Sequence, residues 1–368
     1  MRAPFNFLCA CWGVVVGCLV LGCSDMPTGP VEVTPEPGLQ GFEARLDSIR
    51  MALRIPGMAA AIAKDGEVVW SRGFGLADVD QDRPATDTTS FYVASVTKSV
   101  AAIVIMQLVE EGLLDLDTPI SEFGLSVESQ GTVTVRHIFN HTSEGSPGLV
   151  HRYNGNRYIL LGDIIQQVSG RPFPRLLYER ILRPLGLRHT APDVSVIPAF
   201  LEAGQNRHSF MANMAMPYSL RNGKVVRSEF PSHFSPSAGL MASVRDLAAI
   251  SIALDQDRFL DPGTKEVMLS PTVQLPGENL NYGLGWFVQW HEGIKIEWHG
   301  GEWDSQSALI LRVPERNMTF VAVANTRQMS GAYRMGLGDV MESGVGRLFM
   351  ETFVLGNEPL PAPPLSDS

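Results

Sequence analysis

Cysteine is almost absent from this chain and wholly absent from its body. The 368-residue sequence has four cysteines, all of them before residue 24. Neither a disulfide nor a cysteine–metal site is therefore available to the rest of the protein. Positive charge is scarce too: the formal net charge is −10, and no basic run interrupts it. That balance argues against nucleic acid as a partner, although it identifies no substrate.

The first 23 residues predict a secretory signal. A basic residue at position 2 precedes an apolar stretch over residues 8–21, which is too short for a comfortable membrane span. The run Val20-Leu21-Gly22-Cys23 resembles a bacterial lipobox, in which Cys23 would be lipidated and become the mature N-terminus. Leu21 is unusual at its position, so simple signal cleavage is the alternative. Ser24 is compatible with outer-membrane sorting. We therefore expect a periplasmic protein that meets a membrane only through this anchor.

The rest of the sequence predicts one large domain between two proline-rich segments. Hydrophobic residues make up 45 % of the chain, enough for a sizeable core. We divide the chain into a signal (1–23), a proline-rich linker (24–41), a globular domain (42–357) and a proline-rich tail (358–368). The linker composition favours a semi-rigid, exposed spacer.

Strand signals lie at the two ends of this domain. Asp65-Gly66, between apolar runs over 58–63 and 67–70, is a strong hairpin signal. Further strands are predicted over 282–290, 294–298, 307–313 and 318–324, followed by a helix over 333–353. We therefore predict an α/β (α+β) fold. Its antiparallel sheet is built from N- and C-terminal strands and flanked by helices, with a mainly helical insertion over about 100–279.

The chemistry is predicted to centre on Ser95 and Lys98. Residues three apart share a helix face, and an apolar run over 100–109 follows them. A lysine desolvated by an apolar helix can be neutral enough to take the proton of a serine hydroxyl. The alternative is structural: Ser95 would cap the helix and Lys98 would be an ordinary surface lysine. Because the helix is apolar nearly all round, it is expected to be buried, which favours the first interpretation.

Two histidines have the spacing of metal ligands. His137 and His141 are four residues apart, with Glu144 or His151 as a candidate third ligand. However, His141 and Glu144 fall in a turn-like Asn-His-Thr-Ser-Glu-Gly segment rather than on a helix face, which favours structural roles. The sequence also has no nucleotide-binding glycine loop. We therefore predict neither a metal nor a cofactor.

Three motifs occur in the order typical of one enzyme family. They are Ser95-Val96-Thr97-Lys98, Tyr153 ahead of a helix, and His299-Gly300-Gly301 between two late strands, in surroundings that include Asn140-His141-Thr142-Ser143 and Ser237-Ala238-Gly239-Leu240. Over residues 42–327 the chain resembles serine hydrolases of the class C β-lactamase type. That group includes D-alanyl-D-alanine carboxypeptidases, D-aminopeptidases and esterases. The resemblance implies a β-lactamase/transpeptidase-like fold and a small ester, amide or peptide substrate.

The resemblance also implies catalytic roles. Ser95 would be the nucleophile that forms an acyl-enzyme. Lys98 would take its proton, or would hold Tyr153 in its reactive state. Tyr153 would act as the base in acylation or as the acid for the leaving group, with a pKa lowered by the nearby ammonium. Which of the two carries the proton stays open at this point.

The late motif is implied to form the far side of the site. His299, Gly300 and Gly301 would line its edge, where glycine lets a substrate pair with the strand backbone. The backbone N–H groups of Ser95 and Glu302 would form the oxyanion hole, and Ser95 has the added advantage of a helix N-terminus.

One position departs from the family pattern. Where the family has Tyr-x-Asn, this chain has Tyr153-Asn154-Gly155. Either Asn154 or Asn156 substitutes through a shifted loop, or the amide contact to the substrate is missing. Three hypotheses follow. The first is a serine hydrolase that acts through an acyl-enzyme on a small ester or amide. The second is a class C-like β-lactamase. The third is a non-catalytic cell-envelope binding protein on the same scaffold, and Gly155 is the only feature of the sequence that favours it.

Overall fold

Strands from both ends of the chain meet in one large sheet. A computed structural model describes residues 38–192, 207–231, 233–274, 280–331, 338–356 and 358–360. The predicted signal, Cys23 and most of the predicted linker lie outside these residues. The strands are β1 Gly57–Lys64, β2 Glu67–Asp78, β3 Arg83–Pro84, β4 Phe91–Tyr92, β5 Tyr218–Arg221, β6 Lys224–Arg227, β7 Met241–Ala242, β8 Val273–Gln274, β9 Leu280–Tyr282, β10 Phe287–His291, β11 Ile294–Trp303, β12 Gln306–Val313 and β13 Met318–Ala324.

Strand β1 joins the N-terminal strands of the sheet to the C-terminal strands. Within the described residues, nine strands form an antiparallel sheet in the order β3-β2-β1-β13-β12-β11-β10-β9-β8. β1 pairs with β2 through the predicted Asp65-Gly66 turn and with β13 on its other side, where Met58 faces Ala324. The predicted fold class, an antiparallel sheet completed by both ends and covered by helices, is confirmed.

Helices cover the sheet on both faces. They are α1 Gly38–Ala52, α2 Thr97–Glu110, α3 Val135–Phe139, α4 Gly155–Tyr158, α5 Leu161–Ser169, α6 Phe173–Leu177, α7 Arg207–Ala212, α8 Val244–Asp255, α9 Pro262–Met268, α10 Gln328–Gly331 and α11 Gly344–Phe349. Short 3₁₀ segments lie at Ala94–Val96, Ile120–Phe123, Pro314–Arg316 and Val340–Glu342, and π-helical turns at Tyr178–Leu182 and Met350–Leu355. No helix of the described part of the chain is long and apolar enough to cross a membrane.

Two hydrophobic cores lie on opposite faces of the sheet. Alternating side chains of a strand point to opposite faces, and β1 is buried on both. Ala59 and Ala61 belong to the core shared with the buried helix α2, whereas Met58 and Ile62 belong to the core beneath the terminal helices α1 and α11. The sheet thus holds α2, the helix that follows Ser95, on a fully packed face.

Three predicted boundaries differ from the structure. Helix α1 begins at Gly38, within the last residues of the predicted linker over 24–41. The predicted helix over 333–353 begins in residues that lie outside those described; within the described part a 3₁₀ turn at Val340–Glu342 precedes α11, which begins at Gly344. The His299 motif lies inside β11, which extends to Trp303, and not between two strands. Strand β11 continues through its glycines because β12 pairs with it from Glu297 to Trp303.

Candidate active site

Ser95 sits in a tight turn at the head of the buried helix. It occupies the 3₁₀ turn Ala94–Val96, which runs directly into α2. Ala94, just before it, has a φ of +47°, a left-handed conformation that costs a residue with a Cβ about 1–2 kcal/mol. The turn is fixed from outside, because the N–H of Val93 donates to the carbonyl of Leu240 at 2.9 Å. Strain of this kind persists where the surrounding structure dictates it, as at functional sites.

Lys98 lies one turn further along, buried against Ser95. Its side chain is 1 % exposed. Its Nζ donates to Ser95 Oγ at 3.2 Å and to the carbonyl oxygen of Ser237 at 2.8 Å. The rings of Tyr153 and Tyr158 flank the same atom, with centroids 4.8 Å and 5.2 Å away. The structural alternative of an exposed surface lysine is therefore wrong.

No carboxylate among the described residues pairs with Lys98. Burial therefore acts unopposed and lowers the pKa of Lys98 to about 7. A buried ammonium without a carboxylate partner is costly, so the amine loses its proton more readily than a solvated lysine. Near neutral pH a large fraction of Lys98 is a free amine next to the Ser95 hydroxyl.

Tyr153 contacts both of these groups. The residue as a whole is 37 % exposed, while its hydroxyl lies within hydrogen-bonding reach of the Ser95 side chain. Burial of the hydroxyl raises the pKa of Tyr153, and the hydrogen bond with Ser95 offsets only part of that increase. The predicted lowering of this pKa is therefore wrong in the free protein. Burial also leaves only part of the Lys98 population charged near pH 7, which weakens the ammonium that was expected to lower this pKa.

Strand β11 forms the opposite wall of the cleft. His299 is buried, with its Nδ1 donating to the carbonyl of Gly300 at 2.7 Å and its Nε2 accepting from the Tyr282 hydroxyl at 3.2 Å. Burial, reinforced by Lys98, lowers the pKa of His299 to about 3. His299 is therefore neutral at physiological pH. A Cβ on Gly301 would lie 2.1 Å from the carbonyl oxygen of Val93, so only glycine lets β11 approach the Ser95 turn this closely.

The cleft between these walls is small. It encloses about 140 Å³ and is lined by Ser95, Tyr153, Phe287, His299, Gly300, Gly301, Glu302 and Ser330. Glu302, the one acid in this set, pairs through its carboxylate with Arg327 Nε at 2.6 Å. The structure thus places the predicted Ser95, Tyr153, His299, Gly300, Gly301 and Glu302 around one cavity. The assignment of the oxyanion hole to the N–H groups of Ser95 and Glu302 stays a prediction.

Two asparagines flank the position of the family amide. Asn154 caps helix α4 through its Oδ1, which accepts from the N–H of Arg157 at 3.0 Å. Its Nδ2 donates to Glu144 at 2.5 Å, and Asn156 is exposed. Neither asparagine lines the cleft, which favours the other alternative, a missing amide contact to the substrate; the choice between the two stays a prediction. Gly155 stands at the position of the family asparagine and has no side chain. A Cβ at this position would lie 3.1 Å from Ser237 Oγ and 4.0 Å from Lys98 Nζ.

Three site residues were not predicted. Ser237 gives Lys98 its carbonyl acceptor, and Phe287 and Ser330 line the cleft. Ser237 lies in a Ser-Ala-Gly-Leu segment that the family resemblance already marks, so the sequence held a signal for it. Phe287 and Ser330 carry no local signal, because tertiary contacts bring them to the cleft: Phe287 pairs with Trp298 of β11, and the Ser330 hydroxyl, in α10, donates to the carbonyl of Gly301 at 2.9 Å.

The candidate metal ligands have other partners. His137 Nδ1 accepts the N–H of Thr134 at 3.1 Å in the cap of helix α3. His141 Nδ1 accepts the N–H of Asn154 at 3.2 Å. In both rings the Nδ1 lone pair accepts a hydrogen bond from a backbone N–H, which fits the structural interpretation of these histidines.

The chain can also be compared with known proteins. A family model described as Beta-lactamase matches residues 42–337. The protein flp of Staphylococcus aureus (strain MW2) is 28 % identical over 313 residues, which is 74 % of this chain and 60 % of flp. This chain thus spans about three fifths of that relative's length.

Solved structures give the same fold. The octameric penicillin-binding protein homologue from Pyrococcus abyssi superimposes with a TM-score of 0.75 at 25 % identity, covering 86 % of this chain and 77 % of that one. EstCE1, described as a hydrolase with promiscuous acyltransferase activity, gives a TM-score of 0.67 at 20 % identity, covering 81 % and 97 %. Since the family model spans most of the chain and the serine, lysine and tyrosine motifs meet in one cleft, the protein belongs to the β-lactamase family.

Proposed function

We propose that this protein is a serine hydrolase that acts through a covalent acyl-enzyme on small esters or amides. The observation that carries the proposal is the contact between Ser95 Oγ and Lys98 Nζ at 3.2 Å, with the amine buried and free of any carboxylate partner among the described residues. A hydroxyl becomes a useful nucleophile when an adjacent base accepts its proton. A base whose pKa lies near the working pH suits that task.

The reaction divides into two half-reactions. Ser95 Oγ bonds to the substrate carbonyl carbon while its proton passes to Lys98. The bond to the leaving group then breaks as Tyr153 gives that group a proton, and Lys98 returns its own extra proton to Tyr153, so that the amine is free again. In the second half, water adds to the acyl carbon and gives a proton to Lys98. The Ser95 ester bond then breaks as that proton passes to Ser95 Oγ, which releases a carboxylic acid and restores the free enzyme. Because the pKa of Tyr153 is raised, its hydroxyl stays protonated. We therefore assign Lys98 as the base and Tyr153 as the donor to the leaving group.

The cleft favours a small, uncharged acyl group. Its volume of about 140 Å³ is below the roughly 300–1,000 Å³ of sites that take drug-sized ligands. His299 is held neutral, so it supplies no positive charge for a substrate carboxylate. Both observations support simple esters and amides over penicillins and cephalosporins, which carry a carboxylate. The β-lactamase and the non-catalytic binding protein become outcomes of the test.

Trapping of the acyl-enzyme tests the proposal. The full chain is mixed with p-nitrophenyl acetate, quenched in acid within the first turnovers, and analysed by intact and peptide mass spectrometry. We expect an added acetyl group on the peptide containing Ser95 and none in the Ser95→Ala variant. Ser99→Ala is the matched control, since Ser99 lies on the same helix but donates to the carbonyl of Gly285 at 3.0 Å.

Three outcomes separate the hypotheses. An adduct on Ser95 with ester turnover supports the proposal. Faster turnover of a chromogenic cephalosporin than of any ester or amide would replace it with the β-lactamase. Absence of an adduct with the ester, a penicillin and a fluorophosphonate alike would leave the binding protein.

We also propose that the chain is exported and anchored to a membrane through Cys23. The support is the signal-like N-terminus and the lipobox-like run that ends at that residue. Expression in a Gram-negative host with radiolabelled palmitate should label the wild type and leave Cys23→Ala unlabelled. An unlabelled wild-type protein with a mature N-terminus at another residue would instead indicate simple signal cleavage.

A further inference from the structure

His141 is bound to the chain on both sides of Tyr153. Its carbonyl oxygen accepts the N–H of Arg152 at 2.8 Å, and its ring Nδ1 accepts the N–H of Asn154 at 3.2 Å. The two residues that flank Tyr153 are therefore tied to a single histidine. His141 is also one of the histidines whose spacing in the sequence is that of metal ligands.

The ring of His141 also supports the ring of Tyr153 directly. The two centroids lie 4.3 Å apart with an interplanar angle of 35°. His141 is 1 % exposed, whereas Tyr153 is 37 % exposed, so the histidine forms the buried side of the contact. The Tyr153 ring thus has a fixed surface behind it and solvent in front.

His141 itself is held rigidly and at a cost. Its φ of +59° is left-handed, a conformation that is uncommon outside glycine but in which histidine, like asparagine and aspartate, is enriched. Its ring Nε2 is buried without a hydrogen-bond partner among the described residues. Since Nδ1 accepts a backbone N–H, the neutral ring carries its proton on this orphan Nε2. An unsatisfied donor in a buried side chain indicates a role other than stability.

A neighbouring residue strengthens the same attachment. The Glu144 carboxylate accepts from Asn154 Nδ2 at 2.5 Å, and the carbonyl of Ser143 accepts from Arg157 at 2.6 Å. The turn over residues 141–144 therefore holds in place the loop over residues 152–157, which carries Tyr153.

We propose that His141 is a positioning residue for Tyr153: its backbone carbonyl, ring nitrogen and ring face together aim the tyrosine hydroxyl at Ser95. This inference rests on the proposed function, because it assigns Tyr153 a role in acyl transfer. His141 is not among the residues that line the cleft, and the lining residue that its ring contacts at 4.3 Å is Tyr153. Its ring also lies beside Tyr158 and Tyr282, so the test must separate an effect through Tyr153 from an effect through these neighbours.

Three variants of the full chain separate the two contacts. His141→Asn keeps an acceptor at the position of Nδ1 and tolerates the left-handed backbone, but it lacks the ring. His141→Phe keeps a ring and lacks the acceptor. His141→Ala lacks both. His137→Ala is the matched control, since that ring also accepts a backbone N–H but has no contact with Tyr153 among those of the described residues.

The decisive measurement is kcat/KM for an alkyl ester, whose poor leaving group needs the proton that Tyr153 is proposed to supply, in two backgrounds, wild type and Tyr153→Phe. We expect His141→Ala to lower kcat/KM about 10- to 100-fold through kcat in the wild type, and by less than about 2-fold once Tyr153 is replaced. Residues that act through one another are non-additive in this way. His141→Asn and His141→Phe should each lose less, and His137→Ala should lose almost nothing. Circular dichroism at the assay temperature confirms folding, and His141→Asn carries the test if the alanine variant does not fold.

Two results would overturn the inference. One is an equal loss from His141→Ala in both backgrounds, which would make the histidine independent of the tyrosine. The other is a folded His141→Ala enzyme with wild-type kcat/KM. In either case an acyl adduct on Ser95 would show that the proposed hydrolase stands without this inference, whereas absence of that adduct in the wild type would remove the hydrolase itself.

Discussion

Two buried basic side chains of this protein have opposite surroundings. Lys98 and Arg312 are 1 % and 2 % exposed. Arg312 donates to Glu297 at 2.7 Å and also to Asp255, so it lies between two carboxylates. Lys98 has a hydroxyl, a carbonyl and two aromatic rings around it instead.

The pKa shifts follow from that difference. Burial lowers the pKa of Arg312, but attraction to Glu297 and Asp255 outweighs it, so the net shift is upward and the charge is permanent. Burial alone acts on Lys98 and brings its pKa to about 7. Arg312 therefore stays charged and stabilises the fold, whereas Lys98 can gain and lose a proton near neutral pH. Within the part of the chain that the structure describes, the absence of a carboxylate beside Lys98 distinguishes this proposed catalytic lysine from the structural arginine.

Replacing the lysine should have the largest effect on activity. We expect Lys98→Met, which keeps the length of the side chain, to lower kcat/KM about 10³-fold, since a general base contributes about 10²- to 10⁴-fold. Its thermal stability at pH 7 should equal or exceed that of the wild type, because a desolvated amine is removed. Ester kinetics and a melting curve check both statements. A variant with more than a tenth of wild-type kcat/KM would contradict the assignment of Lys98 as the base.

Replacing the arginine should do the reverse. Arg312→Met leaves Glu297 buried with Lys295 as its remaining ion-pair partner at 2.9 Å among the described residues. We expect the free energy of unfolding to fall by about 3 kcal/mol, at the lower end of the cost of breaking a buried pair. The folded fraction should keep its kcat. Arg136→Met, in the exposed pair with Asp117, is the control and should cost under about 1 kcal/mol in urea unfolding. Equal losses of unfolding free energy in Arg312→Met and Arg136→Met would contradict the distinction between the buried and the exposed ion pair.

Stability should depend on pH through Lys98 in a calculable direction. The ordinary pKa of lysine is 10.5, and the folded protein lowers it to about 7. Between these values the unfolded chain binds one more proton than the folded chain, so the free energy of unfolding rises with pH. The slope is about 1.4 kcal/mol per pH unit, and it vanishes below pH 7, where both states are protonated.

The difference in unfolding free energy between wild type and Lys98→Met isolates this contribution. In urea titrations at pH 7, 8 and 9, the free energy of unfolding of the wild type should rise with pH relative to that of Lys98→Met. A constant difference would mean that Lys98 is charged in the folded protein, like Arg312.

The smallest expected effect concerns the space beside Lys98. Gly155→Ala places a methyl group 3.1 Å from Ser237 Oγ, which is closer than ordinary contact. We expect kcat/KM to fall by up to about 10-fold as the Ser237 turn and its bond to Lys98 shift. Gly263→Ala, where nothing lies within 4 Å of the added atom, is the matched control. Adding Ser237→Ala should restore activity to the first variant, and failure to do so would place the effect elsewhere.

Local rules explain how much of the site could be predicted from the sequence. The contact between Ser95 and Lys98 follows from a three-residue spacing in front of an apolar helix, and the sheet follows from strand and turn patterns. The partners of Lys98 do not follow, because Ser237 lies 139 positions away and meets it only after tertiary docking. The direction of the Tyr153 pKa also depends on burial, which the sequence does not show. The orientation of Asn154 toward Glu144 likewise results from the fold of two loops.

A direct titration of Lys98 is the most telling measurement. The chain has only five lysines, Lys64, Lys98, Lys224, Lys265 and Lys295, so the ε-carbon resonances of ¹³C-lysine-labelled protein can be followed individually by NMR from pH 5 to 11. We predict that one resonance titrates near pH 7 and that Lys98→Met removes this resonance. If the resonance that Lys98→Met removes titrates above pH 10 instead, Lys98 is an ammonium at neutral pH and cannot be the base that activates Ser95.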